Sequence, residues 1–331
     1  MRELLVAVVI VAILLSLPFL LMSEPKVIKV FHAGSLTVPL KEIVKEYDGN
    51  VEIRLEGSGS VEAAGKITEL GKRADILASA DYRLIPSMMY PNYADWYVIF
   101  ATNEIVLAYT EKSKYADEIN SENWSQILMR DDVKFGFSDP NKDPCGYRSV
   151  MTLLLASKLY NVPLDELLRE NTNMRIEGTE AWVPDPVEVK VERIVIRPKS
   201  VELISLLEAG SLDYAFEYKS VAVQHNLKYV DLPSQIDLGS PDDKMVAVYS
   251  KAVVHIFVGS DKERKLTGAP IAYGLTIPKV AENKEGALKF VKFILTKGLD
   301  IFDRLGQPAV RPPVAYGNVP AELRDVVEVR P

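Results

Sequence analysis

Two glycine–serine turns, each set between a short apolar strand and a helix, constrain this chain more than any other feature of its sequence. Val27-Ile28-Lys29-Val30-Phe31-His32 reads as a buried strand, Ala33-Gly34-Ser35-Leu36 as the turn after it, and a helix follows from Pro39 to Tyr47. Pro39 suits a first helical turn, where its missing N–H has no intrahelical partner to lose. The next unit repeats the order. Val51–Leu55 is a strand, Gly57-Ser58-Gly59-Ser60 a turn, Val61–Leu70 a helix, and Ala74–Ala78 a third strand. Strand, turn, helix, strand is the grammar of a parallel α/β sheet.

The same reading continues along the chain. It predicts strands over Glu104–Thr110, Leu212–Tyr218 and Pro270–Ile277, and helices over Trp124–Arg130, Tyr147–Tyr160, Leu203–Ala209 and Glu282–Lys297. The alternation Val187, Val189, Val191 predicts a β-ribbon reaching Ile196, and the proline-rich stretch from Gln307 to Pro320 predicts a wrapping tail. No solenoid-length repeat is present.

Composition narrows the function. With 331 residues, 48% apolar and 26% charged, the chain has the balance of a soluble globular protein and room for two domains. A net charge of −7 without a basic stripe excludes a nucleic-acid surface. A single cysteine, Cys145, builds neither a disulfide nor a zinc cluster, and His32, His225 and His255 lack metal-site spacing. No Gly-x-Ser-x-Gly elbow supports a serine hydrolase. Arg2 and the apolar run Leu4–Met22, interrupted by Ser16 and Pro18, mark residues 1–25 as a signal peptide or an uncleaved anchor. The folded part is therefore expected at the outer face of the cytoplasmic membrane.

The turns suggest what the fold holds. A helix N-terminus leaves backbone N–H groups unpaired and partly positive, glycine lets the backbone come close, and serine adds a hydroxyl donor. Such turns bind oxyanions without lysine or arginine. One serine there is most often a plain cap, but Gly34-Ser35 and Gly59-Ser60 fall on the same edge of one sheet, at the carboxyl ends of its strands, where ligands sit. A third turn, Asp143-Pro144-Cys145-Gly146-Tyr147-Arg148-Ser149, also precedes a helix. It reads either as a rigid capped loop or as the seat of a nucleophilic thiol at Cys145.

These residues together resemble a known family. Val30–Leu36, Gly57–Ser60 and Ala74-Asp75-Ile76-Leu77-Ala78-Ser79-Ala80-Asp81 are similar to the molybdate/tungstate-binding proteins of ABC importers. Asp139-Pro140-Asn141, Asp143–Ser149 and Leu212–Ala222 resemble the archaeal WtpA-type branch of that ModA-like family. The resemblance runs from Val27 to Arg311. It implies a type II periplasmic-binding-protein fold, with two α/β lobes, a hinge of two crossing strands and a ligand cleft. Lobe 1 would comprise 26–104 plus 268–331, and lobe 2 105–267.

By the same resemblance, Gly34, Ser35 and Ser60 contact the oxyanion from the first lobe, and Asp143, Pro144, Cys145, Ser200 and Tyr218 from the second. The archaeal branch also adds carboxylates to the metal of the oxyanion. Asp143 matches one, and Glu217 is the preferred second, with Glu202 the alternative. A carboxylate beside a dianion costs about 4 kcal/mol per charge pair at ~4 Å and an effective dielectric of ~20. Only a new metal–oxygen bond offsets that, and sulfur in sulfate forms none. The implied protein is a monomeric, non-catalytic binder without a cofactor, serving an ABC permease and its ATPase. The rival readings are a sulfate or phosphate binder of the same fold, and an enzyme using Cys145.

Overall fold

The computed structural model describes residues 27–331; the leader expected over 1–25 lies outside them. The chain forms two α/β lobes, and three sheets divide between them. A seven-stranded sheet has the order Glu328–Arg330, Ala309–Gly317, Trp96–Asn103, Ile271–Thr276, Ile76–Ser79, Val27–Ala33, Glu52–Ser58. Val27–Ala33 lies parallel to both Glu52–Ser58 and Ile76–Ser79, as the strand–turn–helix grammar requires. Its two faces are both covered. Ile28 and Val30 belong to the main core with Leu40 and Ile43, while Phe31 joins a second cluster with Ala63, Ala64 and Ile67. Burial on both faces is why the strand reads as a nearly continuous apolar run.

The other lobe holds two sheets. One has five strands ordered Lys228–Asp231, Ile105–Tyr109, Tyr214–Tyr218, Phe135–Ser138, Ile194–Arg197. The other has four, ordered Arg264–Thr267, Val253–Val258, Glu180–Pro184, Arg175–Glu177. The helix Pro144–Tyr160, buried from Pro144 to Ser157, packs between them. Among the described residues no helix is long and apolar enough to cross a membrane.

Glu104 alone separates the strand Trp96–Asn103 of the large sheet from the strand Ile105–Tyr109 of the five-stranded sheet. The return crossing runs from Thr267 to Ile271. Ile105 and Ile271 donate their amides to the consecutive carbonyls of Asp237 and Leu238, at 2.7 and 2.8 Å.

Several expectations are corrected. Val187, Val189 and Val191 form no ribbon: Val189 makes an isolated bridge to Thr172, and both it and Val191 are exposed. The flanking strands Glu180–Pro184 and Ile194–Arg197 belong to different sheets. The proline-rich tail is instead the strand Ala309–Gly317, antiparallel to Trp96–Asn103, with its register shifted between Ala309 and Val314. That shift spans Pro312 and Pro313, whose nitrogens cannot donate to a ladder. The helix expected over Glu282–Lys297 is found as the shorter Lys284–Ile294, and a second helix, Lys297–Arg304, follows it. The helix expected from Tyr147 begins at Pro144.

Candidate functional site

At the seam between the lobes, the turn after the first strand meets the facing Ser200–Glu202 turn, and the turn after the second meets the start of the Pro144–Tyr160 helix. Gly34-Ser35-Leu36 forms one turn of 3-10 helix immediately after its strand, fully buried. Gly34 packs against Val201 and Lys199 of the opposite lobe, so a Cβ added there would lie 3.2 Å from the Val201 side chain. Ser60 opens the helix Ser60–Thr68 with Gly59 at the cap position. The Lys142 carbonyl accepts from the amides of Val61 and Glu62 at 3.1 and 3.3 Å, plugging that helix N-terminus from across the seam. Only glycine permits this approach, because a Cβ on Gly59 would stand 2.1 Å from the Lys142 oxygen.

On the opposite side Asp143 caps the long helix. Its Oδ1 accepts from the Cys145 amide at 3.1 Å and its Oδ2 from the Ser200 amide at 2.8 Å. Ser200 begins the short 3-10 turn Ser200–Glu202. Glu217 lies at the end of the Tyr214–Tyr218 strand, where its Oε2 accepts from the Tyr218 amide at 2.8 Å and stands 3.7 Å from the Cys145 sulfur. Its Oε1 is buried without a hydrogen-bond partner among the described residues. Burial pushes the Glu217 carboxyl up to about 8, against the Tyr218 and Ser200 donors. Burial also raises Asp143, opposed by the Ser200 and Cys145 amides. The Cys145 thiol is driven well up by burial and by the Glu217 and Asp143 charges, the opposite of what a nucleophile needs.

Gly34, Ser35, Ser60, Asp143, Pro144, Cys145, Ser200, Glu217 and Tyr218 are all buried at this seam. Pro144 has no amide to donate, and the Cys145 amide is committed to Asp143. Glu202 stands apart. It is more than a third exposed and pairs with Lys199 at 3.6 Å. Among the described residues no cluster of three or more His, Cys, Asp or Glu could hold a metal ion.

Sequence reasoning gave Arg148 no role, yet it is a fully buried cation at this seam. Fully buried, it donates from Nη1 to the Ala80 carbonyl at 2.7 Å and to the Tyr218 hydroxyl at 2.6 Å, and its Nη2 lies 3.4 Å from Asp81 Oδ2. Its Nε and Nη2 have no hydrogen-bond partner among the described residues. Burial works against its charge, but Tyr218 and Asp81 outweigh that and keep it protonated. Asp81 in turn is held below the usual carboxylate range: burial would raise it, but Arg83 and Arg148 prevail. Tyr147 adds a 2.8 Å bond to Asp81. The available signal was an arginine as the only charged residue over 144–157, since a fully buried arginine is rare unless paired. Arg148, Asp81 and Tyr147 thus tie the two lobes together.

Comparison with known proteins identifies the scaffold. The family described as bacterial extracellular solute-binding protein matches residues 28–306. The chain belongs to this family. Among relatives of this solute-binding protein, the molybdate/tungstate-binding protein WtpA of Pyrococcus abyssi is 51% identical over 313 residues, covering 91% of this chain and 90% of that one. WtpA of Thermococcus kodakarensis is 50% identical, with 91% and 87% covered. An uncharacterized solute-binding protein of Staphylothermus marinus is 52% identical, with 90% and 87% covered. Among solved structures, the periplasmic molybdate-binding protein of Azotobacter vinelandii matches with a TM-score of 0.57 at 15% identity, covering 85% of this chain and 98% of that one. The fold is therefore the two-lobed binding-protein fold.

Proposed function

We propose that this protein captures tungstate or molybdate at the seam between its lobes and delivers it, outside the cytoplasm, to an ABC permease driven by its ATPase. The observation that carries the reading is the convergence of the Ser35 and Ser60 turns with the buried Asp143–Glu217 carboxyl pair around Arg148. Serine hydroxyls and Arg148 supply donors and one positive charge to a dianion, while Asp143 and Glu217 supply oxygens to its metal. Once ionised, the two carboxylates repel any oxyanion by several kcal/mol, so the pair favours a central atom that gains bonds from them and disfavours sulfate. The WtpA relatives, about half identical over nine-tenths of the chain, carry names that fit this chemistry.

The jaws are residues 26–104 plus 268–331 and residues 105–267. Sheet membership supports this division, since the large sheet draws on 27–103 and 271–330 and the other two on 105–267. The protein acts as a monomer held at the membrane face by residues 1–25 or released there. Catalysis at Cys145 has no support in a thiol kept protonated and buried.

Titration calorimetry of the purified protein against tungstate, molybdate, sulfate and phosphate tests the reading. Tungstate and molybdate should bind at least about 100-fold more tightly than sulfate, a difference of about 2.7 kcal/mol. Comparable affinity for sulfate would remove the role given to the carboxylates.

A further inference from the structure

A serine hydroxyl can present either a hydrogen or a lone pair to a ligand, and the group behind it decides which. Behind Ser60 stands the amide of Ala80, which donates to Ser60 Oγ at 2.9 Å. An amide N–H only donates, so the Ser60 hydrogen is free to point into the seam. Behind Ser35 there is instead the hydroxyl of Tyr273, 3.0 Å from Ser35 Oγ. That hydroxyl can itself point either way.

Asn103 removes the ambiguity. Its Oδ1 accepts from the backbone amides of Glu104 at 3.1 Å and Ser220 at 3.3 Å. Two obligate donors fix which end of the carboxamide is oxygen, so the NH2 end must face the other way. There it donates to Ser220 Oγ at 2.7 Å and to the Tyr273 hydroxyl at 3.2 Å. Tyr273 receives a hydrogen from Asn103 and passes its own to Ser35. All three side chains are buried, at 3%, 0% and 4% exposure for Asn103, Tyr273 and Ser35, so bulk water does not reorient the chain of bonds.

We propose that Asn103 and Tyr273 are positioning residues that lock Ser35 as a hydrogen donor toward the cleft, and so select oxyanions that carry no proton at neutral pH. This rests on the reading of Ser35 and Ser60 as oxyanion contacts. The relay gives Ser35 the one-way polarity that Ser60 takes from a backbone amide. Tungstate and molybdate offer lone pairs on every oxygen and satisfy both serines. Phosphate at neutral pH carries a proton on one oxygen, and that O–H meets a second donor if it faces either serine.

Two variants test the relay. Asn103→Asp keeps an acceptor for the Glu104 and Ser220 amides but replaces the donor facing Tyr273 with a second acceptor. Tyr273 then donates to residue 103, Ser35 donates to Tyr273, and a Ser35 lone pair faces the ligand. The added charge repels every dianion, so the readout is the ratio of tungstate to phosphate affinity, not either alone. Tyr273→Phe cuts the relay without changing charge.

With the full-length protein in detergent, and folding checked by thermal melt, phosphate is measured by its displacement of tungstate in calorimetry. The ratio should fall by at least about tenfold in Asn103→Asp and about threefold in Tyr273→Phe, as expected for reversing or removing a buried hydrogen bond. Wild-type binding of tungstate with an unchanged ratio in both folded variants overturns the relay and leaves the site reading intact. A wild-type protein that binds no tungstate overturns the site reading, and the relay with it.

Discussion

Replacing Asp143 by alanine should damage stability and binding together, and the structure gives the size of the first effect. The carboxylate satisfies two amides, of Cys145 at the start of the long helix and of Ser200 in the facing turn. Alanine strands both in a buried place, at about 1–3 kcal/mol for each unsatisfied donor. Burial already raises the Asp143 carboxyl, so removing it also relieves a desolvation cost that offsets part of the loss. A net destabilisation of about 2–4 kcal/mol follows, which at about 2 °C per kcal/mol for a chain of this size lowers the melting temperature by about 4–8 °C. Tungstate affinity should fall by at least about 100-fold, the loss of one metal–carboxylate bond plus a displaced turn. Cys145→Ala is the matched control. It keeps the amide that Asp143 caps and removes only a sulfur 3.7 Å from Glu217, so affinity should stay within about threefold of wild type. Differential scanning calorimetry of the unliganded proteins and titration with tungstate measure both effects. An Asp143→Ala protein with wild-type melting and wild-type affinity would show that neither the cap nor the metal contact exists.

Glu217 makes the unliganded protein sensitive to alkali. Its carboxyl titrates near 4.5 when unfolded and about 8 when folded, so between those values the native state holds the extra proton. Stability is full below about 4.5 and falls by up to about 1.4 kcal/mol per pH unit as pH rises toward 8; urea midpoints should decline over that window, and Glu217→Gln should flatten the decline. The Cys145 thiol, buried and raised by burial and by its two carboxyl neighbours, should resist iodoacetamide at about pH 8 in the native protein and react once denatured. Mass spectrometry reads the adduct, and rapid native labelling would contradict the buried placement. Gly59→Ala puts a methyl against the Lys142 carbonyl, a backbone atom that cannot rotate away. The lobes should then stay further apart, seen as a larger radius of gyration by small-angle scattering and weaker tungstate binding.

What the sequence disclosed was local, and what it concealed depended on distant pairing. The strands from Val27 to Ser79 and the two serine turns were legible because each unit signals itself within about a dozen residues. The valine alternation at 187–191 has the right period but finds only one bridge, since neighbouring strands went to separate sheets. The tail misled because proline argues against a strand unless a register shift absorbs it, and such a shift is a property of the pair. Asp143 and Glu217 were both visible as carboxylates in recognisable motifs. Their shared burial beside Cys145 was not, because it follows from the strand at Tyr214–Tyr218 ending against the helix at Pro144. Asn103 and Tyr273 gave no signal at all. They meet through the register that sets Ile271 opposite Asn103, 168 positions away in sequence.

The two lobe crossings lie side by side, and this governs how the molecule can flex. Ile271 pairs with Asn103, and Ile105 and Ile271 hang from the adjacent carbonyls of Asp237 and Leu238. Paired strands resist splaying within their sheet, because that stretches the ladder bonds, but bend readily across it. Two such strands clamped at a common point act as a two-leaf spring, stiff to twist and to sideways slip and compliant in one direction only. Any opening of the lobes about such a point would be channelled into one coordinate.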